Sequence, residues 1–134
     1  MDSNELTVVI VTFNSELKLA DCLKSIENKA KIIVVENSNN KTFKNNLEKQ
    51  YQNLKCILTG GNKGYAVANN IGLKNVKTSY ALVLNPDTIL DKDAVANFLI
   101  RAKKNDEFWL IGPATNQKSN IDFHNKEIVE VENL

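Results

Sequence analysis

The sequence predicts an α/β domain whose mostly parallel sheet is flanked by helices, and three features carry that prediction. Short apolar runs rich in Val and Ile recur along the chain, the segments between them place apolar residues at helical spacing, and each run leaves into a loop of Asn, Ser, Gly or Asp. Strands that alternate with helices over short loops build right-handed βαβ units, which bury a parallel sheet under helices on both faces.

Each element follows from its residues. Leu6-Thr7-Val8-Val9-Ile10-Val11-Thr12 is a β-branched run suited to a central strand, and Asn14-Ser15 offers cap oxygens to the next helix. That helix is expected over residues 16–28, with Leu19, Leu23 and Ile26 on one face. Residues 31–35 form the second strand and residues 36–40 its polar exit; Phe43, Leu47 and Tyr51 mark the apolar stripe of a second helix. Residues 54–59 are the third strand, opening into Gly60-Gly61-Asn62-Lys63-Gly64 and a helix over Tyr65–Lys74. Tyr80–Leu84 is the fourth strand, apolar enough for burial on both faces. Asp91 is placed to cap a helix that turns Val95, Phe98, Leu99 and Ala102 inward, and Phe108-Trp109-Leu110-Ile111 reads as a fifth strand stopped by Gly112-Pro113. Ile121-Asp122-Phe123 and Glu127-Ile128-Val129-Glu130-Val131 then alternate apolar with polar residues around His124-Asn125-Lys126, the pattern of a carboxy-terminal β-hairpin with one wet face. Residues 1–134 show no repeat, low-complexity tract or linker and are expected to form a single domain.

Composition narrows the function. A formal net charge of +1 without a clustered positive excess argues against nucleic acid as a partner. No stretch has the apolar length of a membrane span, and Met1-Asp2-Ser3-Asn4-Glu5 is acidic where a signal peptide is basic, so the expected location is cytoplasmic, with peripheral association at the inner face of the membrane as its variant. Cys22 and Cys56 fall in a helix and a strand rather than in a ligand-spaced cluster, which predicts buried free thiols.

The chemistry collects in the strand exits. Asn85-Pro86-Asp87-Thr88 follows directly on an apolar strand, and Pro86, lacking an N–H, forces a sharp exit that presents Asp87 where open α/β sheets keep their ligands. Such a carboxylate suits a hard divalent cation shared with a phosphorylated substrate, or else forms an Asx-turn or cap. The exits at residues 12–15, 36–40, 60–64 and 85–88 reach one edge of a parallel sheet, and the glycine loop precedes a helix amino terminus, whose free N–H groups favour a diphosphate. Gly61-x-x-Gly64 lacks the first glycine of a dinucleotide fingerprint, Thr59 standing in its place.

Four segments in order, Val8 to Asn14, Ile32 to Ser38, the pair Asn62-x-Gly64 and Asn70-x-Gly72, and Leu84 to Thr88, resemble the inverting family 2 glycosyltransferases of GT-A (Rossmann-like) fold, and within them the rhamnosyltransferase-like branch. The resemblance covers most of residues 5–113. It implies metal-dependent, inverting hexosyl or rhamnosyl transfer from a UDP- or dTDP-linked sugar to a surface polysaccharide or other glycan acceptor. Thr12, Phe13 and Asn14 then line the nucleotide, Glu36 and Asn37 occupy the loop that reads the base edge, and Asn62, Gly64 and Asn70 belong to the segment that closes over it. Asn85-Pro86-Asp87 resembles this branch's acidic metal motif, with Asp87 as the ligand of Mg²⁺ or Mn²⁺ and Asn85 in support.

The same resemblance implies a further acceptor-binding half that carries the general base. The chain is therefore expected to be the truncated donor-binding half, with no assigned catalytic base. The tail carboxylates Asp122, Glu127, Glu130 and Glu132, and His124, are read as solvent-facing. A non-catalytic nucleotide-sugar-binding or oligomerisation module is the rival reading, and a homodimer or concentration-dependent oligomer through residues 121–131 is expected, because an unpaired strand edge invites a second copy.

Overall fold

A computed structural model describes residues 4–105, 111–113 and 129–131, and the chain divides into two compact units, Met1–Leu90 and Asp91–Leu134. The first unit contains strands β1 (Leu6–Thr12), β2 (Lys31–Glu36), β3 (Leu54–Leu58) and β4 (Tyr80–Leu84), all parallel, in the order β3-β2-β1-β4. Helices α1 (Glu16–Ile26), α2 (Lys41–Gln50) and α3 (Tyr65–Lys74) connect them. The chain steps one way from β1 to β3 and then reverses, crossing back to the far side of β1. With right-handed crossovers, that reversal puts α3 on the face opposite α1 and α2.

Strand alternation divides the core accordingly. Val11, Ile33 and Val35 pack with Ala68 of α3, bordered by Ile57, Ile71 and Val76. On the other face Val8, Ile10, Ile32 and Val34 are buried, as are Leu19, Cys22, Leu23 and Ile26 of α1 and Phe43 and Leu47 of α2. Gly72 sets the distance of α3 from the sheet: a Cβ there would clash with Val9 Cγ1 and come within 3.0 Å of Val35 Cγ2.

Several elements depart from what the sequence suggests. Helix α1 stops at Ile26 because Glu27 takes a left-handed conformation (φ 53°). Ser15 is the N-cap residue of α1 but does not cap through its side chain; its hydroxyl donates back to the Phe13 carbonyl at 3.1 Å. The working side-chain cap is Asn40, whose Oδ1 accepts from the Phe43 N–H at 3.0 Å. β2 extends one residue further, to Glu36, and β3 ends at Leu58. β4 is not buried on both faces: Ala81 is exposed and Val83 is 42% exposed, because α3 lies over β1 and β2 instead.

In the second unit, helix α4 (Ala94–Lys104) buries Ala94, Val95, Leu99 and Ala102, with Phe98 half-buried. Its N-cap residue is Asp93, while Asp91 contributes its carbonyl to the Ala94 N–H at 3.0 Å. Strands β5 (Ile111–Pro113) and β6 (Val129–Val131) pair in parallel, Ile111 opposite Val129. The strand thus runs through Gly112 and ends at Pro113, two residues beyond the expected stop, and residues 108–110 of the expected strand lie outside the described residues. Of the expected hairpin and oligomer contact only residues 129–131 are described, and their partner is β5; the other arm, its turn and the remaining tail carboxylates lie outside the described residues. No described helix is long and apolar enough to cross a membrane.

Cys22 and Cys56 are free and buried, as their placement suggests. At Cys56 the outer edge of β3 is closed by α2: the Cys56 N–H donates to Glu48 Oε1 at 2.9 Å and Lys44 Nζ donates to the Cys56 carbonyl at 2.5 Å, while Lys44 and Glu48 pair at 3.1 Å. The bond from the Cys56 N–H, helped by Lys44, holds the Glu48 carboxyl below its ordinary value of about 4.5.

Two outcomes follow for stability. Gly72→Ala should destabilise, since overpacking costs about 1–3 kcal/mol and the helix-propensity gain returns only about 1 kcal/mol; urea unfolding at neutral pH should show a lower midpoint with an unchanged slope. Glu48 has a folded pKa below its unfolded one, so its stabilisation is full above the unfolded value and is lost as pH falls through the folded one. Glu48→Gln keeps an acceptor for the Cys56 N–H but no charge, and its stability should fall less than that of the unsubstituted protein between pH 5 and pH 3, measured by denaturant titration at each pH.

Candidate functional site

The parallel sheet delivers the four exits to one edge, and strand order reverses between β1 and β4, the position at which open α/β sheets form a ligand crevice. Backbone bonds carry the ladder past the strand ends: the Asn37 N–H donates to the Thr12 carbonyl at 2.8 Å, the Thr59 N–H to the Glu36 carbonyl at 3.1 Å, and the Gly60 N–H to the Ser38 carbonyl at 3.1 Å. The loops are thereby held in register like the strands that feed them.

At the β1 and β2 exits, buried and exposed groups separate sharply. Thr12 and Glu36 are opposite each other in register and almost fully buried, and Thr12 Oγ1 donates to Glu36 Oε2 at 2.5 Å. Burying a carboxylate is costly unless it is hydrogen-bonded, and the Thr12 hydroxyl supplies that bond. Phe13 and Asn14 follow immediately and are exposed, Asn14 in a left-handed turn (φ 51°) that swings the chain into α1. A surface cavity of about 500 Å³ lies there, lined by Asn14, Ser15, Glu16, Leu17 and Lys18.

Asn37, also buried, fastens the glycine loop to β2. Its Oδ1 accepts from the Lys63 N–H at 3.0 Å and lies 2.9 Å from Thr59 Oγ1, whose single proton it shares with the Gly61 carbonyl at 2.6 Å, and its Nδ2 donates to Asn62 Oδ1 at 3.1 Å and to the Gly64 carbonyl at 3.3 Å. Both amide protons and the amide oxygen are thus engaged by the protein itself. Asn62 Oδ1 accepts in addition from the Gly64 N–H at 3.0 Å. Gly60 and Gly64 take φ of 84° and 82°, a conformation that glycine adopts without strain, and Gly64 then starts α3. Thr59, which breaks the dinucleotide fingerprint, belongs to this clamp.

The Asn85 turn is held from below by α1. The Thr88 N–H closes the turn on the Asn85 carbonyl at 3.1 Å, and the Cys22 thiol points at the same oxygen at 3.8 Å. Farther along, the Leu90 N–H donates to Ser25 Oγ at 3.0 Å, and that hydroxyl donates to the Cys22 carbonyl at 2.7 Å. Burial, and then the Asp87 carboxylate, push the Cys22 thiol up to about 11, so it remains a neutral donor at any physiological pH. Asp87 itself is exposed at the head of the turn. Across the crevice, the Tyr65 hydroxyl at the start of α3 donates to Asn85 Oδ1 at 3.0 Å.

The predicted residues thus fall into two groups. Phe13, Asn14, Asn62, Gly64, Asn85 and Asp87 are exposed along the exit edge, whereas Thr12, Glu36 and Asn37 are buried beneath it. Asn70 is exposed in α3, and its companion Gly72 serves the packing of that helix on the sheet. Tyr65, Cys22 and Ser25 were not anticipated from sequence; only the position of Tyr65, directly after Gly64, offered a signal. No group of three or more His, Cys, Asp or Glu side chains gathers among the described residues. An exposed carboxylate on a fixed turn still fits a hard cation that takes one or two protein carboxylates and fills its shell with phosphate oxygens and water.

Comparison with known proteins accords with this geometry. The family model described as "Glycosyl transferase family 2" matches residues 7–133. A low-salt glycan biosynthesis hexosyltransferase, Agl10 of Haloferax volcanii, is 28% identical over 96 residues, 69% of this chain and 31% of that protein. A teichoic acid poly(glycerol phosphate) polymerase of Staphylococcus epidermidis is 30% identical over 118 residues, 82% of this chain and 16% of that protein. The chain therefore spans a third or less of the length of these relatives. In crystal structures, S. aureus TarS in complex with UDP superposes with a TM-score of 0.68 at 18% identity, over 86% of this chain and 38% of that one, and TarS 1–349 superposes with a TM-score of 0.66 at 19% identity, over 76% and 33%. The fold is the α/β, GT-A arrangement that the sequence predicts, and the chain belongs to glycosyl transferase family 2.

Proposed function

We propose that the chain binds a nucleoside diphosphate sugar, UDP- or dTDP-linked, at the exit edge of its sheet and serves metal-dependent, inverting glycosyl transfer to a glycan acceptor in surface polysaccharide synthesis. The observation that carries this reading is the meeting of the α3 amino terminus, whose N-cap residue Gly64 offers no side-chain cap, with the Asn85-Pro86-Asp87 turn through Tyr65. A glycan biosynthesis hexosyltransferase and a teichoic acid polymerase among the relatives, and a neighbour crystallised with UDP, support the substrate class.

In this reading Phe13 and Asn14 meet the base and ribose, while Thr12, Glu36 and Asn37 act from beneath: the buried pair fixes the β1 exit under the base edge, and Asn37 fixes the loop of Asn62 and Gly64. The free N–H groups at the start of α3 favour the diphosphate. Asp87 would hold Mg²⁺ or Mn²⁺, which when bound neutralises the charge of the leaving diphosphate. Transfer forms a bond between the acceptor oxygen and the anomeric carbon as the bond from that carbon to the diphosphate breaks, on the opposite face. No described residue is assigned as the base that takes the acceptor's proton.

Calorimetric titration with UDP, with and without Mn²⁺, tests the reading directly. Asp87→Ala should weaken Mn²⁺-supported binding roughly tenfold or more, about 1.4 kcal/mol per decade, while leaving Mn²⁺-free binding little changed. Equal binding by the variant, with its fold intact, would exclude Asp87 as the metal ligand. Glu36→Ala removes the partner of the Thr12 hydroxyl, and competition among UDP, dTDP, ADP and GDP should show narrower discrimination, with a smaller loss in the affinity common to all four.

A further inference from the structure

We propose that Tyr65 is a positioning residue that fixes which end of the Asn85 amide faces the donor, so that Asn85 acts as a hydrogen-bond donor to the diphosphate and not as an oxygen ligand of the metal. This rests on the donor-site reading above and assigns a role within it. Asn85 occupies the first position of the Asn-Pro-Asp turn, where its side chain could offer either an oxygen to a cation or an NH₂ to an anion. The Tyr65 hydroxyl donates to Asn85 Oδ1 at 3.0 Å, and the turn bonds occupy the Asn85 carbonyl instead of its side chain. Nδ2 therefore keeps its protons without a partner among the described residues, on an exposed side chain at the crevice edge.

The bond has a definite structural origin. Tyr65 is the first residue of α3, which lies over β1 and β2; Asn85 directly follows β4 on the other side of β1. The phenol therefore spans the switch-point crevice and ties its two rims together. Its own ring is 54% exposed, so the packed core does not depend on it. With Oδ1 engaged by a donor, turning that oxygen toward a cation requires breaking the Tyr65 bond, whereas presenting Nδ2 to a phosphate oxygen requires no rearrangement.

The two roles predict opposite signs for Tyr65→Phe, which deletes only the hydroxyl. Calorimetry with UDP, with and without Mn²⁺, should show binding weakened roughly threefold to tenfold, by the same factor in both conditions. In an Asn85→Ala background the same substitution should have no effect. Asn85→Asp, which keeps an acceptor for Tyr65 but lacks the NH₂ donor, should lose at least as much Mn²⁺-free UDP affinity as Asn85→Ala. Tighter Mn²⁺-supported binding in Tyr65→Phe would make the Asn85 oxygen a metal ligand and overturn the assignment, as would unchanged binding or an equal loss in the Asn85→Ala background. Absence of UDP binding by the unsubstituted protein would instead overturn the donor-site reading on which the assignment rests.

Discussion

The direct seating of α3 on the centre of the sheet is the constraint on which the rest depends. After β3 the chain has to return across β2 and β1 to reach its place at β4, and right-handed connection forces that return over the face opposite α1 and α2. A helix crossing two strands so closely cannot carry a side chain at the point of contact, and Gly72 meets that demand against Val9 and Val35. The same seating fixes the height of the helix amino terminus two turns away. That is why a phenol at position 65 reaches the exit of β4, although β1 lies between them.

A second level of order lies just beneath the exit edge, where polar groups are buried but satisfied. Thr12 with Glu36, and Asn37 with Thr59, Asn62, Lys63 and Gly64, replace the apolar packing that holds the strands below. Such networks add modest net stability, because their bonds replace bonds to water, but leaving one member unpaired is costly. They therefore favour a single loop arrangement over neighbouring alternatives. The glycine loop can then carry two residues of positive φ without losing its shape. The β4 exit is fixed differently, by Cys22 and Ser25 on the helix that follows β1. The exit edge is thus supported from beneath by a carboxylate, an amide, hydroxyls and a thiol.

How much of this was legible in the sequence depends on the range of the interaction. The strands and helices of the first unit follow from local pattern, because runs such as Val8 to Val11 and stripes such as Leu19, Leu23 and Ile26 carry their own period. The four exits are legible too, since parallel topology alone puts them on one edge. What local pattern could not supply was register and cover. Glu36 reads as the start of a polar loop, yet it ends β2 opposite Thr12, an assignment that exists only once the two strands are aligned. Val83 reads as a core residue, yet α3 covers β1 and β2 and leaves it open. Gly112-Pro113 reads as a terminator because proline lacks an N–H, yet both residues pair with β6, with Pro113 at the end of the strand. The caps show the same limit: Ser15 and Asn40 are equally plausible from composition, and only the backbone each adopts decides which one serves.

The two edges of the described sheet differ in a way that bears on what the fold can accept. At β3, the paired side chains of Lys44 and Glu48 bond to both backbone groups of Cys56, so a strand that paired there would first have to displace a charged pair already satisfied. That is a way of blunting an edge without shortening it. β4 has only β1 as a described neighbour, and Ala81 and Val83 show apolar surface toward the α3 face. Among the described residues β4 is thus the edge without such a charged pair across it, and its exit carries Asp87. Structure added at that edge would lie beside the Asn85-Pro86-Asp87 turn, whereas structure added at β3 would lie at the far end of the sheet. Among the described residues, side chains thus close the edge far from the Asn85 turn and not the edge beside it.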